Sequence, residues 1–247
     1  LSNRRFGVEI ECLVPRDRCD ELERELGNKF GFGDGEWDFG VDGSVHGEGC
    51  CGHEIRTPPL KGKRGFNTLK RGFALLNKYG TTVNATCGMH VHHEATDLSP
   101  EEVLRFCKTW LANQSTMHKM VSPTRRNNGY CSPVTKERVD LLEHLIKHPQ
   151  AGTAPFNQLY HGMAVNTSAL YEHGTIEIRL HHGSVNYDEA EAWIKFGQGL
   201  IDSTMSRKRP MKTVKDDTLL RVCADPKAKK VLKMKMESID GRIYRPV

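Results

Sequence analysis

The fold class predicted is α+β: a sheet of mixed or antiparallel order, helices packed on one face, and the other face open to ligand. Three observations predict it. Short segments alternate apolar and polar residues with period two, amphipathic segments of helical period lie between them, and the connections are too varied for a regular βαβ repeat. The 247 residues suffice for one large domain or two small ones, and one compact enzyme-sized domain is expected. Its body is assigned to residues 1–206, with a basic C-terminal segment, 207–247, packed on the same domain.

The first strand is "RFGVEIECL" (5–13), where Phe6, Val8, Ile10 and Cys12 alternate with Gly7, Glu9 and Glu11. A helix follows over 16–31. Short strands are expected around "EWDFGVDGS" and "GHEIRTP". The next helix, 63–80, has Phe66, Leu69, Phe73 and Leu76 at helical spacing and closes on Gly80. "TTVNATCGMHVHHEA" (81–95) returns to strand character. The helix after it is the best marked, with Ser99 at the N-cap, Pro100 at N1, Glu102 at N3, then Val103, Phe106, Trp110, Met117 and Val121 inside. Residues 135–148 and 187–205 form two more amphipathic helices. "QLYHGMAVNTSAL" and "GTIEIRLHHG" supply two late strands.

Composition sets outer bounds. No stretch approaches 18 uninterrupted apolar residues and no secretory segment follows Leu1–Arg5, so a soluble, cytoplasmic protein without a membrane partner is expected. Eight cysteines occur, none at C-x-x-C spacing, and reduced thiols are expected. The net charge of +5 is uneven: residues 207–235 carry eleven Lys/Arg against three Asp. Such a run forms a solvated helix surface or contacts an acidic partner.

The chemistry lies in the polar faces of three strands. Side chains two apart share a face, so Glu9 pairs with Glu11, His90 with His92, and Glu177 with Arg179. The interleaved residues are apolar in each case: Val8 and Ile10, Met89 and Val91, Ile176 and Ile178. A sheet facing water alternates in the same way. Three strands repeating the pattern with metal-ligand residue types point instead to a site. Within one sheet they form a patch of carboxylates, imidazoles and a guanidinium, whose desolvation demands partners such as divalent cations and phosphate. Glu54 in "GHEIRTPPL", and Asp42 with Ser44, extend the patch or form turns. His46, His53, His93, His181 and His182 receive no role and are expected mainly at the surface or in loops, with His182 the one placed to touch substrate. Cys87 and Cys131 are expected as buried thiols.

Seven motifs, "FGVEIE", "DGS", "HEIRTPP", "CGMHVHHE", "SPTRRNNGYCSP", "YHGMAVNTSAL" and "GTIEIRLHHGSVN", resemble in that order those of the amidoligase family, carboxylate-amine ligases grouped with glutamine synthetase and glutamate-cysteine ligase. The resemblance runs over about residues 4–205. It implies a glutamine synthetase-like catalytic domain with a mainly antiparallel curved sheet, and an ATP-dependent ligase that forms an amide through an acyl phosphate. It implies Mg2+, or Mn2+, on Glu9, Glu11, Glu54, His90 and Glu177. His92, Arg125, Arg126 and Arg179 would contact ATP phosphates, and Arg179, Glu177 and Glu54 form the catalytic set. The partners implied are a carboxylate and an amine, either of them carried on a peptide or another macromolecule. The chain is much shorter than the large glutamine synthetases and shows no separate N-terminal sheet domain, so their multi-subunit ring does not carry over.

Two other readings stay open on the residues alone. His90 and His92 with a Glu suit a zinc hydrolase, although no H-E-x-x-H occurs and the arginines are then unexplained. The basic tail suits a nucleic-acid-binding module, although aromatic residues make up only 7% and no recognition motif is present.

Overall fold

Six segments pair into one sheet, and all but the edge strand Asp38–Val41 bury apolar side chains that water would otherwise cover. In the computed structural model, which describes residues 2–30 and 36–241, these are β1 (Phe6–Pro15), β2 (Asp38–Val41), β3 (Cys50–Arg56), β4 (Gly88–Glu94), β5 (Val165–Asn166) and β6 (Thr175–His182). Their order is β2-β3-β1-β4-β6-β5, and every neighbouring pair is antiparallel. Residues 1, 31–35 and 242–247 lie outside the described residues. With them fall Gly31, expected to end the first helix, and the end of the C-terminal segment.

The alternation in β1 becomes burial: Phe6, Val8, Ile10 and Cys12 are buried while Gly7, Glu9 and Glu11 are half-buried. The apolar side is covered by α1 (Cys19–Phe30), α2 (Gly62–Lys78), α3 (Pro100–His118) and α6 (Tyr187–Met205), whose inward residues share one core with the strands. Ser99 and Glu102 form the expected capping box at the start of α3: the Ser99 hydroxyl accepts from the Glu102 N–H and the Glu102 carboxylate from the Ser99 N–H. Gly80 follows α2 with φ of 69°, a left-handed conformation that disfavours a Cβ. The remaining helices are α4 (Lys136–Lys147), α5 (Ala169–His173), α7 (Asp216–Leu219) and α8 (Pro226–Gly241). Among the described residues no helix is long and apolar enough to cross a membrane.

Two expected strands are shortened by their own polar side chains. In 81–87 the Asn84 carboxamide oxygen takes the N–H and hydroxyl of Thr86, and its NH2 donates to the His46 carbonyl. These bonds hold a turn, and only a bridge between Leu13 and Thr82 remains before β4. In 158–170 the Asn166 side chain accepts from the N–H and hydroxyl of Ser168, which ends β5 after two residues and leads into α5.

The C-terminal segment packs Met211, Leu219, Leu220, Cys223, Leu232 and Met236 into the main core. Part of its positive charge is met within the molecule, by Lys227 on Asp188, Lys233 on Asp217 and Lys235 on Glu189.

Candidate active site on the open face of the sheet

Strand register assembles the polar residues into a row. Glu9 lies opposite His90, Glu11 opposite Glu54, His92 opposite Glu177, and Glu177 opposite Asn166. Between β4 and β6 the register shifts so that Arg179 and Leu180 both face the stretch of β4 holding His90. Such a bulge bends a strand and re-aims side chains, here beside the acids.

Glu9 is the hub. Its Oε2 is 3.0 Å from His90 Nδ1 and its Oε1 is 3.4 Å from His92 Nε2. Glu177 Oε1 stands 3.8 Å from both of those nitrogens, takes Arg179 NH1 at 2.5 Å, and its other oxygen accepts from Asn166 Nδ2 at 2.7 Å. Glu11 accepts the Gly88 N–H at 2.5 Å, and Glu54 is held by Arg56 Nε at 2.7 Å. His92 Nδ1 lies 2.9 Å from the Thr175 hydroxyl. Three overlapping groups each bring ligand atoms within 4.8 Å of one another: Glu9, Glu54 and His90; Glu9, His92 and Glu177; Glu11, Asp42 and Glu54. Asp42 is both a turn residue, accepting from Ser44 N–H and Oγ, and a member of the cluster.

The proton affinities reflect this crowding. Burial opposes the Glu9 charge, but hydrogen bonds from His90 and His92 outweigh it and hold the carboxyl well below the usual carboxylate range. Burial disfavours charge on His92 as well, and its bond to Glu9 with the charge of Glu177 raises it above its ordinary value. Glu54 is pushed up by burial and then by the Glu9 charge.

A pH dependence follows. The Glu9 contribution is present above its ordinary value of 4.5 and lost as pH falls through its depressed pKa. The His92 contribution is present below its ordinary 6.5 and lost as pH rises through its raised one. The pair therefore stabilises the metal-free fold most between pH 4.5 and 6.5. Glu54, also raised, adds a separate loss as pH climbs above 4.5. Metal-free wild type is expected to lose more thermal stability above pH 6.5 than His92→Gln, measured by melting across pH. Parallel curves for the two would show that His92 titrates without this coupling.

The structure thus brings together Glu9, Glu11, Glu54, His90, His92, Glu177 and Arg179 on one face. It places the two loop arginines differently. Arg125 is buried and donates to the Arg179 carbonyl at 2.8 Å, and a Cβ on Gly88 would come within 2.7 Å of its guanidinium. It braces the strand carrying Arg179 instead of standing in solvent. Arg126 lies near enough to His118 to lower that ring's proton affinity, after burial, and bonds none of the acid cluster.

Four histidines expected at the surface or in loops are buried: His53, His93, His181 and His182. Alternation explains two of them, since His93 follows Met89 and Val91 on the helix side and His53 precedes Ile55 there. Burial drives His93 down to about 3. His182, expected to touch substrate, stacks on His181, reaches Glu189 at 2.7 Å and accepts the Ser122 N–H, so it anchors the loop carrying Arg125.

Asn166, Arg56 and Thr175 were missed. The signal existed for Arg56, because Glu54-Ile55-Arg56 repeats the Glu177-Ile178-Arg179 pattern. Thr175 likewise shares the face of Glu177 by alternation. Next to Glu9 and His92 opens a cavity of about 440 Å³ whose lining includes Arg5, Arg56, Thr57, Pro59 and His173. A larger hollow, about 670 Å³, lies behind α6 and meets none of the acid cluster.

The antiparallel sheet gathers acids, imidazoles and a guanidinium on its open face, and this row lies within the part of the chain that a family model matches. The chain belongs to the amidoligase family: the family model described as "Putative amidoligase enzyme" matches residues 2–201. No curated protein matches the chain significantly. Among solved structures, a complex of the prokaryotic ubiquitin-like protein Pup with its ligase PafA is similar at 9% identity and a TM-score of 0.42, covering 95% of this chain and 57% of the matched one. The chain therefore spans less than two thirds of that protein's length.

Proposed function

We propose that this protein is an ATP-dependent carboxylate-amine ligase of glutamine synthetase-like fold, working in the cytoplasm. The observation that carries the reading is the single sheet face on which Glu9, Glu11, Glu54, His90 and Glu177 converge with Arg179 at their edge.

The residues fit divalent cations. The donors are carboxylate oxygens and imidazole nitrogens in three overlapping groups, and His90 Nε2 is buried without a hydrogen-bond partner among the described residues, 3.3 Å from Glu11. Glu9, Glu11, Glu54, His90 and Glu177 would hold two ions, with Asp42 added to the set; Mg2+ suits the carboxylates and Mn2+ the imidazole. Bound there, the ions offset the repulsion between a carboxylate and a triphosphate and stabilise the group in transfer.

In the reaction, a substrate carboxylate oxygen attacks the γ-phosphorus of ATP and the bond to the β-phosphate oxygen breaks, releasing ADP. An amine nitrogen then attacks the acyl carbon, phosphate leaves, and the nitrogen gives up a proton. Arg179 keeps NH1 on Glu177 and its side chain is 15% exposed, so the accessible edge of its planar fork can meet phosphoryl oxygens. Arg125 fixes the backbone of Arg179. His92, with Nδ1 on Thr175, and Arg126, half-buried in its loop, serve the nucleotide phosphates. Arg5 and Arg56 line the adjoining cavity together with Glu9 and Glu94, and the two guanidinium groups are the ones that would hold a carboxylate substrate there, free or on a peptide. The basic C-terminal surface is the contact for an acidic partner.

Release of ADP from ATP is expected only when both a carboxylate and an amine are supplied, in the presence of Mg2+ or Mn2+. Screening pools of each by ADP detection tests this. Hydrolysis with zinc and no ATP would favour the zinc-hydrolase reading, and salt-sensitive nucleic-acid binding without turnover would favour the binding module.

A further inference from the structure

On the opposite side of the sheet from the acids lies a second convergence of ligand atoms. Cys51 and His53 are two apart on β3 and share the face that turns Ile55 into the core, whereas Glu54 points to the open side. Cys19, the first residue of α1, meets them there. Ligand atoms of Cys19, Cys51 and His53 lie within 4.8 Å of one another.

The state of His53 is fixed by its neighbours. Its Nδ1 is 3.2 Å from the Gly40 carbonyl, which only accepts, so Nδ1 carries the proton. Its ring stacks on Phe39 at 4.2 Å between centroids and is only 4% exposed. Nε2 is left with a lone pair, buried and without a hydrogen-bond partner among the described residues. A buried acceptor in that state costs free energy unless something binds it. A ring whose far N–H is held by a backbone carbonyl is the arrangement that orients histidine toward a metal. Glu23 stands one helical turn beyond Cys19, and its charge acts on His53.

We propose that Cys19, Cys51 and His53 bind one structural zinc ion, with Glu23 or water as the fourth ligand. Two thiolates and an imidazole select a borderline-soft divalent cation over the magnesium suited to the acid cluster. Binding breaks two S–H bonds, forms two metal–sulfur bonds and one metal–nitrogen bond, and releases two protons to solvent; no electron is transferred. Without a cation, burial and the adjacent Cys51 push the Cys19 thiol up to about 11, so it is not a nucleophile at neutral pH and a bound cation must displace its proton. The ion would clip the start of α1 to β3, the strand that presents Glu54 to the active site.

The test uses the full chain, reduced and stripped of metal, titrated with Co2+. An intense thiolate-to-cobalt charge-transfer band saturating at one equivalent is expected, because none of the three acid groups contains sulfur. Glu9→Gln should keep the band, while Cys51→Ser and His53→Gln should weaken binding by about 10²-fold or more, with circular dichroism reporting whether each is folded. A second measurement needs no variant: Zn2+ should slow alkylation of Cys19 and Cys51, mapped by mass spectrometry, and a chelator should restore it. Absence of the band in wild type, an unchanged band in folded Cys51→Ser, or equal alkylation rates with and without Zn2+ would each overturn the assignment. So would a Cys19–Cys51 disulfide recovered from zinc-treated protein, since sulfurs bonded to each other cannot both be thiolate ligands.

Discussion

Glu9→Gln is expected to abolish ligase turnover, by about 10³-fold or more, the scale of several kcal/mol that metal charge stabilisation contributes. Glu9 belongs to two of the three ligand groups and lies nearer both imidazoles than Glu177 does. Gln keeps the shape, so the sheet should survive while divalent-ion affinity falls for more than one site. Calorimetric titration of Mn2+ beside an ADP-release assay reads both quantities. Wild-type metal affinity in a folded Glu9→Gln protein would remove Glu9 from the ligand set.

Arg179→Lys should behave in the opposite way. Lysine keeps the positive charge beside Glu177 but loses the planar fork, so turnover is expected to fall by about 10²-fold while metal affinity changes little. Its counterpart Glu177→Gln should weaken metal binding and shift activity to higher metal concentration. The two residues are joined at 2.5 Å, so the comparison must rest on conservative changes; deleting either side chain would release the other. Equal metal loss in both variants, or normal turnover in Arg179→Lys, would refute the assignment of Arg179 to the transferring phosphoryl group.

The zinc-clip test is independent of these results. Its sulfur-dependent signal arises on the other side of the sheet, so loss of ligase activity in Glu9→Gln leaves it standing.

The sequence alone determined the strand faces and the helix that opens at Ser99. Period-two alternation is local, because successive side chains point to opposite sides of any strand. That was enough to group Glu9 with Glu11, His90 with His92 and Glu177 with Arg179. The same rule applied to Glu54-Ile55-Arg56 and to Met89-Val91-His93 would have found Arg56 and the burial of His93. The capping box at Ser99 was legible for a similar reason, since its bonds lie within four residues of chain.

Only the tertiary structure decided what meets what. Which strands neighbour each other, and in what register, depends on pairings between residues far apart in sequence: Glu9 with His90, Glu11 with Glu54, Glu177 with Asn166. A slip of one residue would send the whole charged row to the helix side. Arg125 shows the same limit, since a Pro/Asn/Gly-rich loop reads as one placed to close over nucleotide phosphates until the fold buries its guanidinium against Gly88 and the Arg179 carbonyl. Cys19, Cys51 and His53 show it on the other face: 31 residues separate the first two, and their meeting is fixed by where α1 packs, a fact of burial that no local pattern records.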